Sequence, residues 1–481
     1  MCDVSGPSTA AVISLNAIGG QDVHLIEENI EKSFFHSTPD KRHTDYTRFY
    51  RTTQIDNKSQ QKYWPFGPEG TTVKVNLNPQ SMGDLLANMY LMIYLPRCIY
   101  ARDVGHHIIK SVAFRVDEIE IERIYDDWQV IYSEMYLDTS ERRANEYIIN
   151  RMMYPVDNVR NEEKLIANGY GALSTIPTLI PLRFFFSRKY APSEYDVNKP
   201  NRPYFPLCAM YRQKIVLEIE FHSYWFFSKP QTSFAVSDPK FLSQTDFDFP
   251  TLNKFNIITE EVTLSLEDRS YYIKEKYDFL VNLVFRNPTA DSVLNENTIK
   301  TNLVPSIPVK SIHWFLRKKA YEYELPITDI PHTSTLFIPE YQSKYVKDGI
   351  NLIDSRFRFE KIMDAKIYLN SLGLPDVTIS DHNYFKYYIP FQCRLTTPRK
   401  NIYTYSFSMT PMNIESTGSL DFSKFNSDKT FLDIKLEDGE YSTDGYIKSR
   451  VNRLSEVMTL YVYYTGYKMF SFQNGYMTEV R

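Results

Sequence analysis

Apolar and polar residues alternate with a period of two in many short segments of this chain. In the clearest segment, apolar residues occupy every second position from Ile215 to Phe221, and Glu218 and Glu220 stand between them. A β-strand directs successive side chains to opposite faces, so this pattern gives one dry face, whereas a helix would have to bury the charges. The alternation therefore predicts strands here and in four similar segments, at residues 73–77, 262–266, 365–369 and 432–436.

One region combines a predicted hairpin with the clearest helical pattern in the chain. The apolar positions change parity across Asp117 and Glu118, as two strands joined by a tight turn would require. From Trp128 onward, apolar residues recur at i+3, i+4 and i+7, which is the spacing of one helix face. Asp126 or Asp127 is placed to cap this helix. The other segments show no strand–helix alternation of the parallel α/β kind.

The length of the chain favours two domains over one. A single hydrophobic core stops growing at roughly 250 to 300 residues, and this chain has 481 residues. Residues 226–256 carry three prolines among Ser, Asp and Gln, so we predict a linker there. The first domain is then predicted at residues 25–225 and the second at 257–481, with an N-terminal arm at residues 1–24.

Composition and charge narrow the classes of function. The chain has 37 Tyr and 31 Phe but only 16 Gly, with 26 Pro, a mixture that favours strands and ordered loops over helices. Its formal net charge of -4 provides no basic field that could neutralise a phosphate backbone. We therefore predict no direct contact with nucleic acid.

The cysteines and the N-terminal segment favour a chain made in the cytoplasm. Cys2, Cys98, Cys208 and Cys393 are far apart, without a CxxC pair, so they offer neither a zinc-site spacing nor a disulfide framework. We predict free thiols in a reducing compartment. The apolar stretch at residues 10–15 lacks a basic flank and is too short for a signal peptide or a membrane span.

Motifs for nucleotide binding and hydrolysis are missing from the sequence. Residues 67–72 include two glycines but no following lysine, so they cannot form a phosphate-binding loop, and a turn is the simpler interpretation. Residues 169–171 form a lone GxG without a strand-to-helix context. Neither HExxH nor GxSxG occurs.

The remaining polar clusters have ordinary structural interpretations. His106 and His107 are adjacent, and neighbours in a strand point to opposite faces, so they and His382 are predicted to be solvated or packed rather than metal ligands. The glutamates at 118, 120 and 122 are predicted on the wet face of a strand that contains Ile119 and Ile121. We therefore predict no catalytic, cofactor-binding or metal-binding residues, no cofactor and no enzymatic activity.

The order of several segments along the chain carries a resemblance to a known family. These segments are GQDVHL at 20–25, SFF at 33–35, RHT at 42–44, GDLL at 83–86, IYDDW at 124–128, PVKSIHW at 308–314, YTYSF at 403–407 and STGSLDFSK at 416–424. Together they resemble the major capsid proteins of nucleocytoplasmic large DNA viruses along nearly the whole chain. Members of that family usually have Asn and Arg where this chain has Asp421 and Lys424, and a glycine turn where it has Asp117 and Glu118.

The resemblance implies a fold, a role and a set of partners. The fold would be all-β, with two tandem antiparallel jelly-roll β-sandwiches and a few short inserted helices. The role would be that of a structural protein of the virion capsid, synthesised in the host cytoplasm. Three chains would form a pseudo-hexameric capsomer that tiles an icosahedral shell. The partners would be the chain itself as a homotrimer, neighbouring capsomers, minor capsid proteins and inner viral membrane proteins.

Two other interpretations stay open at the level of sequence. A minor capsid or scaffold relative would share the fold but not the copy number in the virion. A carbohydrate-binding β-sandwich would use the many tyrosines as a sugar platform, although aromatic side chains also dominate sandwich cores and interfaces.

Overall fold

The structure is a computed structural model whose described residues form an antiparallel β-protein. It describes residues 47–54, 71–93, 99–100, 103–149, 177–190, 203–222, 228–229, 255–294, 296–319, 357, 359–370, 372–375, 379–413, 416–436, 440–441, 450–451 and 457–480. The predicted arm at 1–24 and most of the predicted linker at 226–256 lie outside these residues. The domain boundaries therefore stay a prediction.

Eleven of the described strands precede residue 264. They are β1 (Thr47–Gln54), β2 (Thr71–Leu77), β3 (Leu85–Ile93), β4 (Ile99–Tyr100), β5 (Ile109–Val116), β6 (Ile119–Tyr125), β7 (Thr178–Pro181), β8 (Phe205–Pro206), β9 (Ile215–Phe221), β10 (Ser228–Lys229) and β11 (Phe255–Thr263). A five-stranded sheet has the order β1-β11-β3-β7, with β8 also paired to β3, and a four-stranded sheet has the order β2-β9-β5-β6. Although the predicted second domain begins at residue 257, β11 lies between β1 and β3.

Twelve described strands follow. They are β12 (Tyr277–Arg286), β13 (Ala290–Asp291), β14 (Thr298–Asn302), β15 (Val309–Lys318), β16 (Ile362–Leu369), β17 (Leu372–Leu374), β18 (Tyr403–Ser406), β19 (Phe431–Leu436), β20 (Glu440–Tyr441), β21 (Arg450–Val451), β22 (Met458–Gln473) and β23 (Tyr476–Glu479). A six-stranded sheet has the order β12-β22-β15-β18, with β13 and β23 also on β22, and a four-stranded sheet has the order β14-β19-β16-β17. The pairings of β4 with β10 and of β20 with β21 complete the described strands.

Helices are short and few among the described residues. They are α1 (Val104–Ile108), α2 (Asp126–Met135), α3 (Thr139–Ile149), α4 (Leu266–Lys274) and α5 (Ile389–Gln392), the last continuing the π-helix Tyr384–Tyr388, with 3₁₀ turns at Pro79–Ser81, Leu207–Met210, Phe422–Lys424 and Ser427–Lys429. All the strand pairings are antiparallel. The prediction of an all-β chain with a few short helices is confirmed.

The six-stranded sheet lies between two hydrophobic cores, and each of its faces packs against one of them. Alternate residues of β15 and β22 lie in the core of the second sandwich, including Trp314, Leu316, Leu460, Val462 and Tyr464. The residues between them face the first half of the chain and join its core, namely Phe315, Tyr461 and Tyr463. Nine consecutive residues of β15 are therefore buried. Strands that are buried on both faces lose the apolar–polar alternation of a half-exposed strand.

The hairpin predicted between Phe114 and Ile121 and the helix predicted from Trp128 to Met135 are confirmed. Strands β5 and β6 flank a turn in which Asp117 has a φ of 52°, and α2 follows β6 directly. Tyr125 occupies the N-cap position, so the expectation of an aspartate cap is wrong. Asp126 and Asp127 instead lie in the first turn, where their negative charge is favourable at the N-terminal end of the helix dipole.

The predicted strands at residues 73–77, 215–221, 365–369 and 432–436 are confirmed by β2, β9, β16 and β19. The prediction for 262–266 is wrong beyond Thr263, because the strand ends there and α4 begins at Leu266. The Ser265 hydroxyl accepts a hydrogen bond from the backbone N–H of Asp268 at 3.2 Å. This cap starts a helix in a segment whose apolar spacing also suits a strand.

Candidate functional site

Helix α2 lies between the two sandwiches. All ten of its residues are buried, including the charged ones. The ring of Trp128 packs against His313 of β15 and Tyr463 of β22, with ring centroids 5.8 and 6.0 Å apart. A helix that follows the β5-β6 hairpin in sequence is thus packed against the six-stranded sheet of the second sandwich.

Asp127 of α2 and Arg317 of β15 form an ion pair in which neither side chain is exposed. The Arg317 guanidinium also lies over the rings of Tyr461 and Phe315, 4.8 and 5.3 Å from their centroids. The hydroxyl of Tyr463 donates a hydrogen bond to Asp127 Oδ2 at 3.4 Å. Because removal of one partner would leave a buried, uncompensated charge, the pair fixes α2 against β15.

Glu122 of β6 forms a second buried ion pair, with Arg188. Its carboxylate also accepts hydrogen bonds from the backbone N–H groups of Phe185 and of Val284 on β12, both at 2.9 Å. Burial raises the pKa of Glu122, and the Arg188 guanidinium opposes this rise. Arg188 also donates to the carbonyl oxygen of Asn282 on β12 at 2.8 Å. This cluster joins β6 of the first half to β12 of the second.

The prediction that Glu122 lies on the wet face of its strand is therefore wrong. Ile119, which was expected on the dry face, is 61% exposed, whereas Glu122 is 2% exposed. The pairing of β5 with β6 shifts register between Phe114 and Arg115, so the alternation along the sequence does not continue through the hairpin.

His313 of β15 is held by hydrogen bonds to both halves of the chain. Its Nε2 lies 2.8 Å from the hydroxyl of Tyr136, which follows α2, and its Nδ1 lies 2.8 Å from the Thr404 hydroxyl. The Ser311 hydroxyl also lies 3.1 Å from Nε2. Burial lowers the pKa of His313 to about 3, so the ring is neutral at physiological pH.

The end of α2 is held by the loop between α5 and β18. Glu134 accepts hydrogen bonds from the backbone N–H of Arg399 at 2.7 Å and from its guanidinium at 2.9 Å. The backbone N–H of Thr396 donates to the carbonyl of Met135 at 2.8 Å, and its hydroxyl donates to the carbonyl of Leu137 at 2.9 Å. Both ends of α2 are thus bound to the second half of the chain.

Large apolar side chains are exposed elsewhere on the second half. Tyr387, Tyr388 and Phe391 are 44, 53 and 75% exposed and lie within one short helical segment. We call these three residues the aromatic patch. Other exposed apolar side chains in this half include Met363, Leu372, Ile379 and Met409. Clustered apolar groups on a folded surface commonly mark contacts with another molecule.

The histidines considered from the sequence are packed among other side chains. His106 and His107 lie in α1, not in a strand, and both are buried. Burial lowers the pKa of His106 to about 4. His382 Nδ1 lies 2.8 Å from the Tyr403 hydroxyl. Within the described part of the chain, no group of three His, Cys, Asp or Glu residues is arranged to hold a metal ion.

Cys208 and Cys393 are buried free thiols, as predicted. Cys2 and Cys98 lie outside the described residues, as do the glycine-containing segments at 67–70 and 169–171. Among the helices that the structure describes, none is long and apolar enough to cross a membrane.

Comparison with known families accounts for both halves of this architecture. The model of the family described as "Major capsid protein N-terminus" matches residues 35–241, and that of "Large eukaryotic DNA virus major capsid protein" matches residues 262–478. The chain belongs to this family of major capsid proteins. The resemblance seen in the sequence is thereby confirmed, and a structural role in the virion capsid is the role of the family.

Relatives of this capsid protein are distant in sequence. "Capsid protein 1" of Acanthamoeba polyphaga mimivirus is 21% identical over 329 residues, which are 65% of this chain and 49% of that protein. The chain therefore spans about half the length of this curated relative.

Two solved structures share the fold of the capsid protein. VP54 of PBCV-1 matches with a TM-score of 0.64 and 15% identity over 92% of this chain and 99% of that one. The Faustovirus major capsid protein matches with a TM-score of 0.56 and 10% identity over 89% of this chain and 91% of that one. The prediction of two antiparallel jelly rolls is confirmed by this likeness in fold.

Proposed function

We propose that the protein assembles as a homotrimer, that each trimer is a pseudo-hexameric capsomer, and that these capsomers tile an icosahedral shell. The observation that carries the proposal is the match of two capsid family models to successive halves of one chain, at residues 35–241 and 262–478. Each chain then supplies two related sandwiches, so three chains supply six. Six similar sandwiches around a three-fold axis give a hexagonal outline.

The junction between the sandwiches supports this role. A capsomer keeps its outline only if the two sandwiches of each chain hold a fixed orientation. The buried pair Asp127–Arg317 crosses between the halves, and Glu122 and its partner Arg188 both form hydrogen bonds to the backbone of β12. Closure of the trimer requires a heterologous interface, in which the first sandwich of one chain meets the second sandwich of the next. An obligate interface of this kind buries on the order of 2,000 Å² or more.

Two surface features suit such an interface. The aromatic patch offers three exposed rings on one short segment, and rigid aromatic side chains are favoured as anchors in interfaces. Among the strands that the structure describes, β1 lies at the edge of its sheet. Exposed sheet edges invite pairing unless a loop or a neighbouring chain covers them.

The proposal extends to partners, location and chemistry. The partners would be other copies of the chain, neighbouring capsomers, minor capsid proteins and inner viral membrane proteins, without direct contact with nucleic acid. The chain would be synthesised in the host cytoplasm. It would have no catalytic, cofactor-binding or metal-binding residues, and its two jelly rolls would occupy residues 25–225 and 257–481.

The copy number of the chain in purified virions tests this function. A major capsid protein is expected to be the most abundant protein by quantitative mass spectrometry. A few copies per particle would indicate a minor capsid protein, and absence from mature particles would indicate a scaffold. A carbohydrate-binding protein would instead bind glycans in solution through an aromatic shelf.

A further inference from the structure

Lys310 is a buried lysine at the start of β15. The residue is 1% exposed, and its Nζ donates a hydrogen bond to the carbonyl oxygen of Asn413 at 2.8 Å. The same ammonium lies 4.7 Å from the centre of the Tyr467 ring. None of the ion pairs found in the described residues includes Lys310. Burial and the nearby Arg188 guanidinium lower the pKa of Lys310 to about 7, because one carbonyl and one ring compensate a buried ammonium only in part.

A cavity of about 20 Å³ adjoins Lys310 at the junction of the two sandwiches. Trp128 of α2, Asn282 of β12 and Thr465 of β22 also line it. The buried Trp128 Nε1 and Asn282 Oδ1 have no hydrogen-bond partner in the structure. Since a water molecule needs roughly 10–15 Å³ of such space, the cavity has room for one water molecule or one small ion.

The charges around the cavity favour an anion over a water molecule. The lining contains three cationic side chains, Arg188, Lys189 and Lys310, and no carboxylate. Arg188 is paired with Glu122, and Lys189 with Glu141, both of which stand outside the lining. When Lys310 is protonated, its positive charge is therefore left without a carboxylate partner in the lining. A water molecule would satisfy hydrogen bonds without neutralising this charge.

We propose that the cavity binds one small monovalent anion of about the size of chloride, held by the Lys310 ammonium and the Trp128 indole N–H. The anion would complete the ion pairing of a lysine on β15 and would lie against Trp128 of α2 and Thr465 of β22. It would therefore stabilise the junction between the two sandwiches.

Anomalous diffraction locates the ion directly. Crystals of the full-length protein grown in sodium chloride would be measured at a long wavelength, where chlorine scatters anomalously and water does not. A peak in the cavity, in contact with Lys310 Nζ, is the expected result. A cavity that contains only a water molecule would overturn the proposal.

Thermal unfolding tests the contribution of the site. Wild-type protein freed of halide would be titrated with sodium chloride at constant ionic strength, with gluconate as the balancing anion. Its Tm is expected to rise with chloride concentration, because a ligand that binds only the folded state stabilises it. Lys310→Met should abolish this rise. Lys74→Met, which removes a lysine whose side chain is 66% exposed, should leave it unchanged.

A wild-type Tm that does not change with chloride concentration would contradict the proposal. An equal rise in the Tm of Lys310→Met would contradict it as well. If Lys310→Met does not fold, the chloride titration of the wild type and the anomalous map decide the question without it.

Discussion

Asp127 and Arg317 lie 190 residues apart in the chain and form an ion pair that solvent does not reach. Asp127 belongs to a helix that follows a hairpin of the first half, and Arg317 belongs to a strand of the second. Since β15 belongs to the six-stranded sheet between the two cores, this pair connects the first half directly to that sheet. We expect the two sandwiches to resist separation and to unfold cooperatively.

Arg317→Met should lower the free energy of unfolding by about 3–5 kcal/mol, because it leaves the Asp127 carboxylate buried without its partner. Urea unfolding followed by tryptophan fluorescence measures the loss. The double variant Asp127→Leu with Arg317→Met should recover most of it. Lys300→Met, which breaks a surface pair with Asp433, should cost less than about 1 kcal/mol. An Arg317→Met variant as stable as the wild type would refute the importance of the pair.

Leu217→Asp should destabilise the protein by more than about 4 kcal/mol, because Leu217 is fully buried and the new carboxylate would have no partner in the core. Val216→Asp is the matched control, since Val216 is only partly buried on the opposite face of β9. Thermal unfolding of both variants checks the prediction. Equal losses in Tm would show that Leu217 and Val216 are assigned to the wrong faces of β9.

Acid should destabilise the protein through His313. The pKa of His313 is about 3 in the folded protein, whereas the ordinary value for a histidine, which we take for the unfolded chain, is 6.5. As pH falls from 6.5 towards 3, the unfolded chain therefore binds a proton that the folded protein does not, and stability falls by about 1.4 kcal/mol per pH unit. His313→Gln should show a shallower decline between pH 7 and pH 5 in urea unfolding. An unchanged slope would mean that His313 is protonated in the folded protein.

Cys208 and Cys393 should react slowly with a thiol reagent in the native protein and rapidly in denaturant. Both are buried free thiols, and burial raises the pKa of each, which disfavours the reactive thiolate. A colorimetric thiol assay with and without urea measures the difference. Mass spectrometry without reduction should also find Cys98 unpaired. A stoichiometric disulfide in protein taken from virions would contradict this.

The elements that could be predicted from the sequence are those marked by a periodic pattern of neighbouring residues. Strand β9 alternates because one face is dry, and α2 keeps its apolar spacing although it is buried on every side. The cap at Ser265 shows the limit of local patterns, because residues 262–266 suit both a strand and the start of a helix. The strand ends at Thr263, and the hydrogen bond from the Asp268 N–H to the Ser265 hydroxyl caps the helix that follows.

The junction could not be predicted in the same way, because its partners are distant in the chain. Glu122 has the spacing of a solvated glutamate, yet a register shift turns it towards Arg188, 66 residues away. A signal was present in β15, where Lys310 and Arg317 interrupt an otherwise mostly apolar strand. Charges inside a strand buried on both faces require partners, but the sequence does not say which residues supply them.

The mass and outline of the purified protein test the central claim most directly. Multi-angle light scattering should give three chains per particle, and negative-stain images should show a hexagonal outline. Phe391→Asp should weaken the trimer, whereas Leu266→Asp, at a similarly exposed position (77% against 75%), should not. A stable wild-type monomer at micromolar concentration, with no hexagonal particles in any condition, would contradict the account.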